Sequence, residues 1–167
     1  MEKRDLYDKD RNLTNEIIYP NMPIPENRYL LVVLIFIQNS EGKFLIQKRS
    51  KVKNGLYATT GGHPKSGEDS ITGIITEVNE ELGITLNKED IKLYYSERFD
   101  EERIFCDNYY IKLDVDLKKI KLQEEEVESV TWLTKEEIIE MHENGMFFLK
   151  HFNEFELLLE KLDKNEI

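Results

Sequence analysis

Gly62-His-Pro-Lys65-Ser-Gly67-Glu68-Asp-Ser70-Ile-Thr-Gly73-Ile-Ile-Thr76-Glu77-Val78-Asn-Glu80-Glu81-Leu82-Gly83-Ile84 is the stretch that decides the fold. A glycine-bearing loop runs into an amphipathic helix, read as Ser70 to Leu82 with Gly83 as its C-cap. At about 100° per residue, Ile71, Ile74, Ile75, Val78 and Leu82 share one apolar arc. Glu77, Glu80 and Glu81 share a second arc centred roughly 125° from the first. The acids therefore lie at the edge of the buried face, where side chains are both ordered and reachable. Like charges three and four apart repel. The clustering is best tolerated around a cation, with Glu68 entering the same cleft just before the helix.

Oxygen ligands without a Cys/His cluster suit a hard cation such as Mg²⁺ or Mn²⁺. Mg²⁺ is commonly shared between a few carboxylates and substrate phosphates, so the pattern implies a phosphate-bearing substrate. The glycine loop allows close backbone approach, and a carbonyl there could complete the coordination. The competing reading of three glutamates on a helix is a solvated acidic face.

Outward from this stretch, Tyr29 to Gln38 is apolar on both faces and reads as a central strand. Asn39 to Gly42 is a turn and Lys43 to Arg49 the returning strand of a hairpin. Tyr57 to Thr60 is a short strand leading into the loop. Asp5 to Ile18 forms an N-terminal strand or hairpin about the Asp8–Asn12 turn, and the proline-bearing segment Tyr19 to Asn27 connects it to the body. Ile91 to Arg98, Ile104 to Asp116 and Val127 to Trp132 read as strands. Thr134 to Glu137 opens a helix with a capping-box pattern, and His151 to Leu162 is a last amphipathic helix. The sum is an α/β chain with helices packed on a mixed sheet.

The 167 residues suit a single domain, 1–167, with residues 1–27 as N-terminal strand and connector. A net charge of -11 argues against nucleic acid and anionic membranes as partners. The longest apolar run, Tyr29 to Ile37, is too short for a bilayer, and no signal peptide is visible in the charged first ten residues. Cys106 is the only cysteine, which excludes disulfides within the chain and fits a cytoplasmic setting.

The spacing Gly62, five residues, Glu68, seven residues, Thr76-Glu77-Val78-x-Glu80-Glu81-x-Gly83-Ile84 resembles the Nudix box, Gly-x5-Glu-x7-Arg-Glu-U-x-Glu-Glu-x-Gly-U, where U is aliphatic. The resemblance implies an α/β/α sandwich and hydrolysis of a diphosphate by water attack on phosphorus. It implies that Glu77, Glu80 and Glu81, with Gly62, hold divalent ions, that one of the glutamates acts as general base, and that Glu68 supports them. Thr76 departs from the pattern: the family's arginine pairs with and orients the box glutamates, and a threonine cannot make a bidentate pair. Weaker cation orientation and slower turnover are the expectation, with Lys65 as a candidate compensator.

Three segments resemble the isopentenyl-diphosphate isomerase branch of that family: Leu6-Tyr-Asp with Arg11-Asn-Leu-Thr14, Phe44 to Ser50, and His63-Pro64. The isomerase chemistry needs a cysteine where Gly61 stands and histidines upstream, whereas the three histidines here are His63, His142 and His151. Hydrolysis of a nucleoside diphosphate derivative or related organic diphosphate is therefore the leading expectation. An isomerase-like enzyme and a catalytically weak nucleotide-binding module are the alternatives. Arg49, Lys48 and His63 are candidate substrate contacts, and Glu126 is a further candidate catalytic or metal-binding glutamate. For each there is a bland alternative: an exposed strand end, a loop-shaping residue, a solvated acidic turn. Gly73 could leave room for substrate or allow close packing. The partner is a small-molecule diphosphate, and the state a monomer or homodimer.

Overall fold

The computed structural model describes residues 2–167. β1 (Arg4–Tyr7) and β2 (Leu13–Ile18) form an antiparallel hairpin. Its turn closes because the Asp8 carboxylate accepts the backbone N–H groups of Asp10 and Asn12, each at 2.9 Å. Leu6 and Ile18 bury against Leu30 and Ile104, which seats the hairpin on the body.

β3 (Leu30–Gln38) runs parallel to β8 (Ile104–Lys112) along its whole length. Both bury nearly every residue, as strands covered on both faces must. β7 (Lys92–Phe99) pairs antiparallel with β8. β6 (Thr60–Gly62) pairs antiparallel with the other edge of β3, at Val33, Leu34 and Ile35.

The expected β3–β4 hairpin does not form as a ladder. β4 (Phe44–Arg49) meets β3 only at Gln38↔Phe44 and then diverges. The reason is competition: β8 holds one edge of β3 and β6 the other. β4 instead pairs with β9 (Val127–Leu133) and β5 (Tyr57–Ala58). The segment read as one strand over Tyr57–Thr60 is accordingly split between two partners, β5 on β4 and β6 on β3.

Alternate residues of β3 sort the core into two layers. Val33, Ile35 and Ile37 pack with Ile74, Val78 and Leu82 of α1 (Ser70–Leu82). Leu34 and Phe36 pack with Ile138 of α2 (Lys135–Glu143) and Phe152, Phe155 and Leu158 of α3 (Leu149–Asp163). This is the mixed sheet packed with helices that the sequence pattern predicted, in the α/β/α sandwich that the family resemblance implied. Each such fully buried aliphatic side chain contributes on the order of 2 kcal/mol.

α1 has its expected limits. Asp69 accepts the Thr72 N–H at its start, and Gly83, at φ 68°, closes its end by donating to the Asn79 carbonyl. The buried stripe is shifted: Ile71 and Ile75 are half-buried, while Gly73 and Glu81 are buried. A Cβ on Gly73 would lie 2.6 Å from Pro64 Cγ, so the glycine serves close packing of the loop on the helix. The strand expected to reach Asp116 stops at Lys112, and the last helix starts at Leu149, a little before His151. Among the described residues no helix is long and apolar enough to cross a membrane.

Candidate active site

β6 and α1 meet where Gly62 faces Glu77. A Cβ at Gly62 would fall 2.5 Å from the Glu77 carboxyl carbon, so only glycine leaves space for that carboxylate. Glu81, one turn on, is buried between α1 and β4; it accepts a hydrogen bond from Gln47, and its Oε2 has no partner. Gln47 Oε1 in turn accepts from the Thr60 hydroxyl at 3.1 Å. Glu80 is half out of the protein, with its Oε1 2.5 Å from Lys65 Nζ. Glu68 is held on both oxygens: Oε1 accepts the Lys65 backbone N–H at 2.7 Å and Oε2 the Thr76 hydroxyl at 2.6 Å.

Burial and then the charges of Glu81 and Glu80 push the Glu77 carboxyl up to about 8, with Lys65 opposing. Burial also pushes Glu81 up to about 8, against the Gln47 hydrogen bond and with the Glu126 charge adding to it. Two carboxylates thus sit where ionisation costs free energy that Gln47 and Lys65 do not offset. An orphaned buried oxygen, a carboxylate cradled by a glycine and an oxygen-only donor set fit a hard divalent cation. The expected Glu77–Glu80–Glu81 grouping is not closed, however: among the described residues no three His, Cys, Asp or Glu side chains are gathered closely enough to hold an ion. Mutual repulsion and the pull of Lys65 on Glu80 account for the spread.

Basic groups line the rim. The Arg49 guanidinium lies over the Phe148 ring at 4.9 Å, and its charge acts on Glu81 and Glu126. Phe148 stacks on His151 at 4.8 Å, and His151 Nδ1 accepts the Thr59 N–H at 3.3 Å, so the break between β5 and β6 also braces Arg49. Burial drives the His151 imidazole down to about 3, consistent with its acceptor role. Glu126 pairs with Lys53 at 3.1 Å and feels Glu81. His63 is brought down to about 4 by burial, then by Arg4, Lys53 and Lys150, so at neutral pH it is an uncharged donor or acceptor.

The structure brings Glu68, Glu77, Glu80, Glu81, Glu126, Gly62 and Arg49 around the C-terminal half of α1, with His63 next to Gly62 in the chain. It does not bring Lys48, whose ammonium pairs with Glu128 at 3.3 Å and sits 6.0 Å from the Tyr57 ring centroid. Lys48 and Arg49 are adjacent on a strand and so face opposite sides, a signal already present in the period of two. The same rule points to Gln47, two residues before Arg49. Lys53, in the loop after β4, carried no such signal.

A second polar centre lies at the other end of α1. Asp107 of β8 accepts from both Arg11 guanidinium nitrogens, at 2.7 and 2.5 Å, and from the hydroxyls of Ser70 and Ser96. The hairpin also grips the loop: Ser66 N–H donates to the Lys3 carbonyl, and Asp5 accepts from Ser66 Oγ at 2.6 Å and Gly67 N–H at 2.9 Å.

The NUDIX domain family model matches residues 28–153. A protein of Listeria innocua, described as an uncharacterized Nudix hydrolase, is 34% identical over 151 residues, which cover 88% of each chain. The crystal structure of DR0079 from Deinococcus radiodurans superposes with a TM-score of 0.71 at 22% identity, covering 87% of this chain and 91% of that one. The NUDIX domain of Shewanella oneidensis NrtR, solved with ADP ribose, gives a TM-score of 0.65 at 16% identity and coverage of 87% and 94%.

Proposed function

The chain belongs to the Nudix hydrolase family, and on that premise we propose that it hydrolyses a nucleoside diphosphate derivative or related organic diphosphate with Mg²⁺ or Mn²⁺. The observation that carries this reading is the pair Glu77 and Glu81: one carboxylate fitted against a glycine, the other with a buried oxygen that has no partner, beside Arg49 and Lys53. Glu77, Glu80 and Glu81, with the Gly62 carbonyl, are the groups that would hold the ion. When bound, it supplies Lewis-acid stabilisation of charge developing on the phosphoryl oxygens. Glu68 keeps the loop seated on α1 through Lys65 and Thr76. Glu77, Glu80 or Glu126 takes the proton of the attacking water on a carboxylate oxygen. Water oxygen bonds to phosphorus, the bond from phosphorus to the bridging oxygen breaks, and two phosphate products leave. Arg49, placed over the Phe148 ring, and Lys53 offer charge to the substrate phosphates, and neutral His63 offers a hydrogen bond. Binding of ADP ribose by the Shewanella domain is in keeping with a substrate of this class.

Isomerisation is disfavoured by packing as well as by composition. A Cβ at Gly61 would lie 2.7 Å from the Val33 carbonyl oxygen and 3.0 Å from Leu34 Cβ, so no thiol fits where that chemistry needs one. Cys106 cannot substitute, because burial pushes its thiol up to about 12. The isomerase-like features, Leu6-Tyr-Asp and His63-Pro64, serve docking of the hairpin and packing of the loop on Gly73. We take residues 1–167 as one domain acting in the cytoplasm as monomer or homodimer, a setting supported by one buried, unpaired cysteine. A screen of organic diphosphates with Mg²⁺ or Mn²⁺, run beside Glu80→Gln, tests the proposal. Metal-dependent formation of two phosphomonoester products that the variant loses supports it. Tight nucleotide binding without turnover would replace it by a binding module.

A further inference from the structure

We propose that Lys65 is a built-in counter-ion that occupies Glu80 until a divalent cation displaces it, so that cation binding here is an exchange. The inference rests on the hydrolase reading for the cation's role, but its own observations are independent. Lys65 Nζ stands 2.5 Å from Glu80 Oε1, while the two side chains remain 36% and 42% exposed. The pair is formed yet open to release.

Its persistence comes from the backbone. The Lys65 N–H is fixed to Glu68 Oε1, and the next two residues are fixed to the hairpin through Lys3 and Asp5. The root of the side chain is therefore pinned, and only its flexible four-carbon stem moves. A lysine suits this role because its ammonium is a compact point charge without a planar fork to lose.

The rest of the cluster follows the same plan. Lys53 pairs with Glu126, and Arg49 lies close enough to act on Glu81 and Glu126. Three internal cations thus serve Glu80, Glu81 and Glu126, while Glu77 has the room left by Gly62 and feels the charge of Lys65. In the metal-free protein Lys65 relieves the repulsion among acids three and four apart. A divalent ion drawn to Glu80 needs the same oxygen and repels the ammonium, so the two exclude each other. Lys65 then protects the fold without metal and weakens the hold on metal.

Mn²⁺ titration, followed by the electron paramagnetic resonance signal of the free ion, tests this on the full chain alongside metal-free thermal unfolding. Lys65→Met is expected to bind Mn²⁺ about fivefold more tightly, the scale of one nearby exposed charge, and to unfold at lower temperature without metal. Lys65→Arg, whose fork holds the carboxylate better, is expected to bind Mn²⁺ no more tightly than the parent. Lys164→Met removes the same charge from an exposed pair with Glu160 and is expected to leave affinity unchanged. Equal or weaker Mn²⁺ binding by Lys65→Met, or tighter binding by Lys65→Arg, overturns the exchange. If that occurs while metal-dependent hydrolysis persists, the proposed function survives. Failure of every form to bind Mn²⁺ would overturn both.

Discussion

Carboxylates lie towards both ends of α1, one from β8 and the others its own, and they are provisioned in opposite ways. At its start, Asp107 receives a bidentate Arg11 and two hydroxyls. Burial alone would raise its carboxyl, but those hydrogen bonds outweigh it and hold the group below its ordinary range. At its end, Glu77 and Glu81 have burial without such donors, and both are pushed up to about 8. One helix therefore joins a carboxylate completed by the fold to carboxylates left incomplete. The difference separates an acid that holds structure from acids awaiting something the chain does not supply.

The sharpest test exchanges charge for amide at each end. Glu77→Gln is expected to cut metal-dependent hydrolysis by about 10² to 10³-fold while raising the melting temperature of the metal-free protein. Asp107→Asn is expected to cost about 3 kcal/mol of stability in chemical denaturation, with hydrolysis per folded molecule retained. A Glu77→Gln protein that melts below its parent would erase the distinction.

Gly62→Ala comes next. Its methyl must expel the Glu77 carboxylate, so metal affinity is expected to fall by at least about tenfold, with stability little changed, as isothermal titration and thermal melts would report.

The two ends are also expected to give pH slopes of opposite sign. Glu77 and Glu81 have folded values near 8 against an ordinary 4.5, so their contribution to metal-free stability is full below 4.5 and lost as pH rises through about 8. Saturating Mg²⁺ is expected to flatten that loss, because the cation replaces the proton. Asp107, lowered from 3.8, contributes stability above 3.8 that is lost as pH falls through its folded value. Melting temperatures from pH 3 to 9, with and without Mg²⁺ and in an Arg11→Met background, would show whether the acid limb follows Asp107.

The smallest effect is expected at Thr76. Glu68 already holds the Thr76 hydroxyl and the Lys65 N–H, so Thr76→Arg is expected to raise metal affinity or rate by no more than about tenfold, one strong hydrogen bond's worth. No gain at all would remove the idea that threonine weakens cation orientation here.

What the sequence disclosed is what short-range rules govern. The limits of helix α1 were legible because its apolar stripe and Gly83 are local signals. The loop and its acids were legible because their spacing is local. The separation of β4 from β3 was not, since it depends on β6 arriving from elsewhere to take the edge. Nor was the Arg11–Asp107 pair, whose partners lie 96 residues apart. Lys65 could be suspected from its place in the loop, but its choice of Glu80 depends on how Pro64 folds the loop onto Gly73. The misplacing of Lys48 had a simpler cause: strand alternation already assigned it and Arg49 to opposite faces.

The N-terminal hairpin bears on the order in which the molecule assembles. Asp5 clasps residues 66 and 67, and Arg11 reaches residue 107. The hairpin thus draws its contacts from Tyr29 and Leu30, from residues 66 and 67, and from as far along the chain as Asp107. Contacts of such sequence separation are slow to close. Because the hairpin bears directly on the loop carrying Lys65, the placing of that loop depends on a residue 61 positions before Ser66.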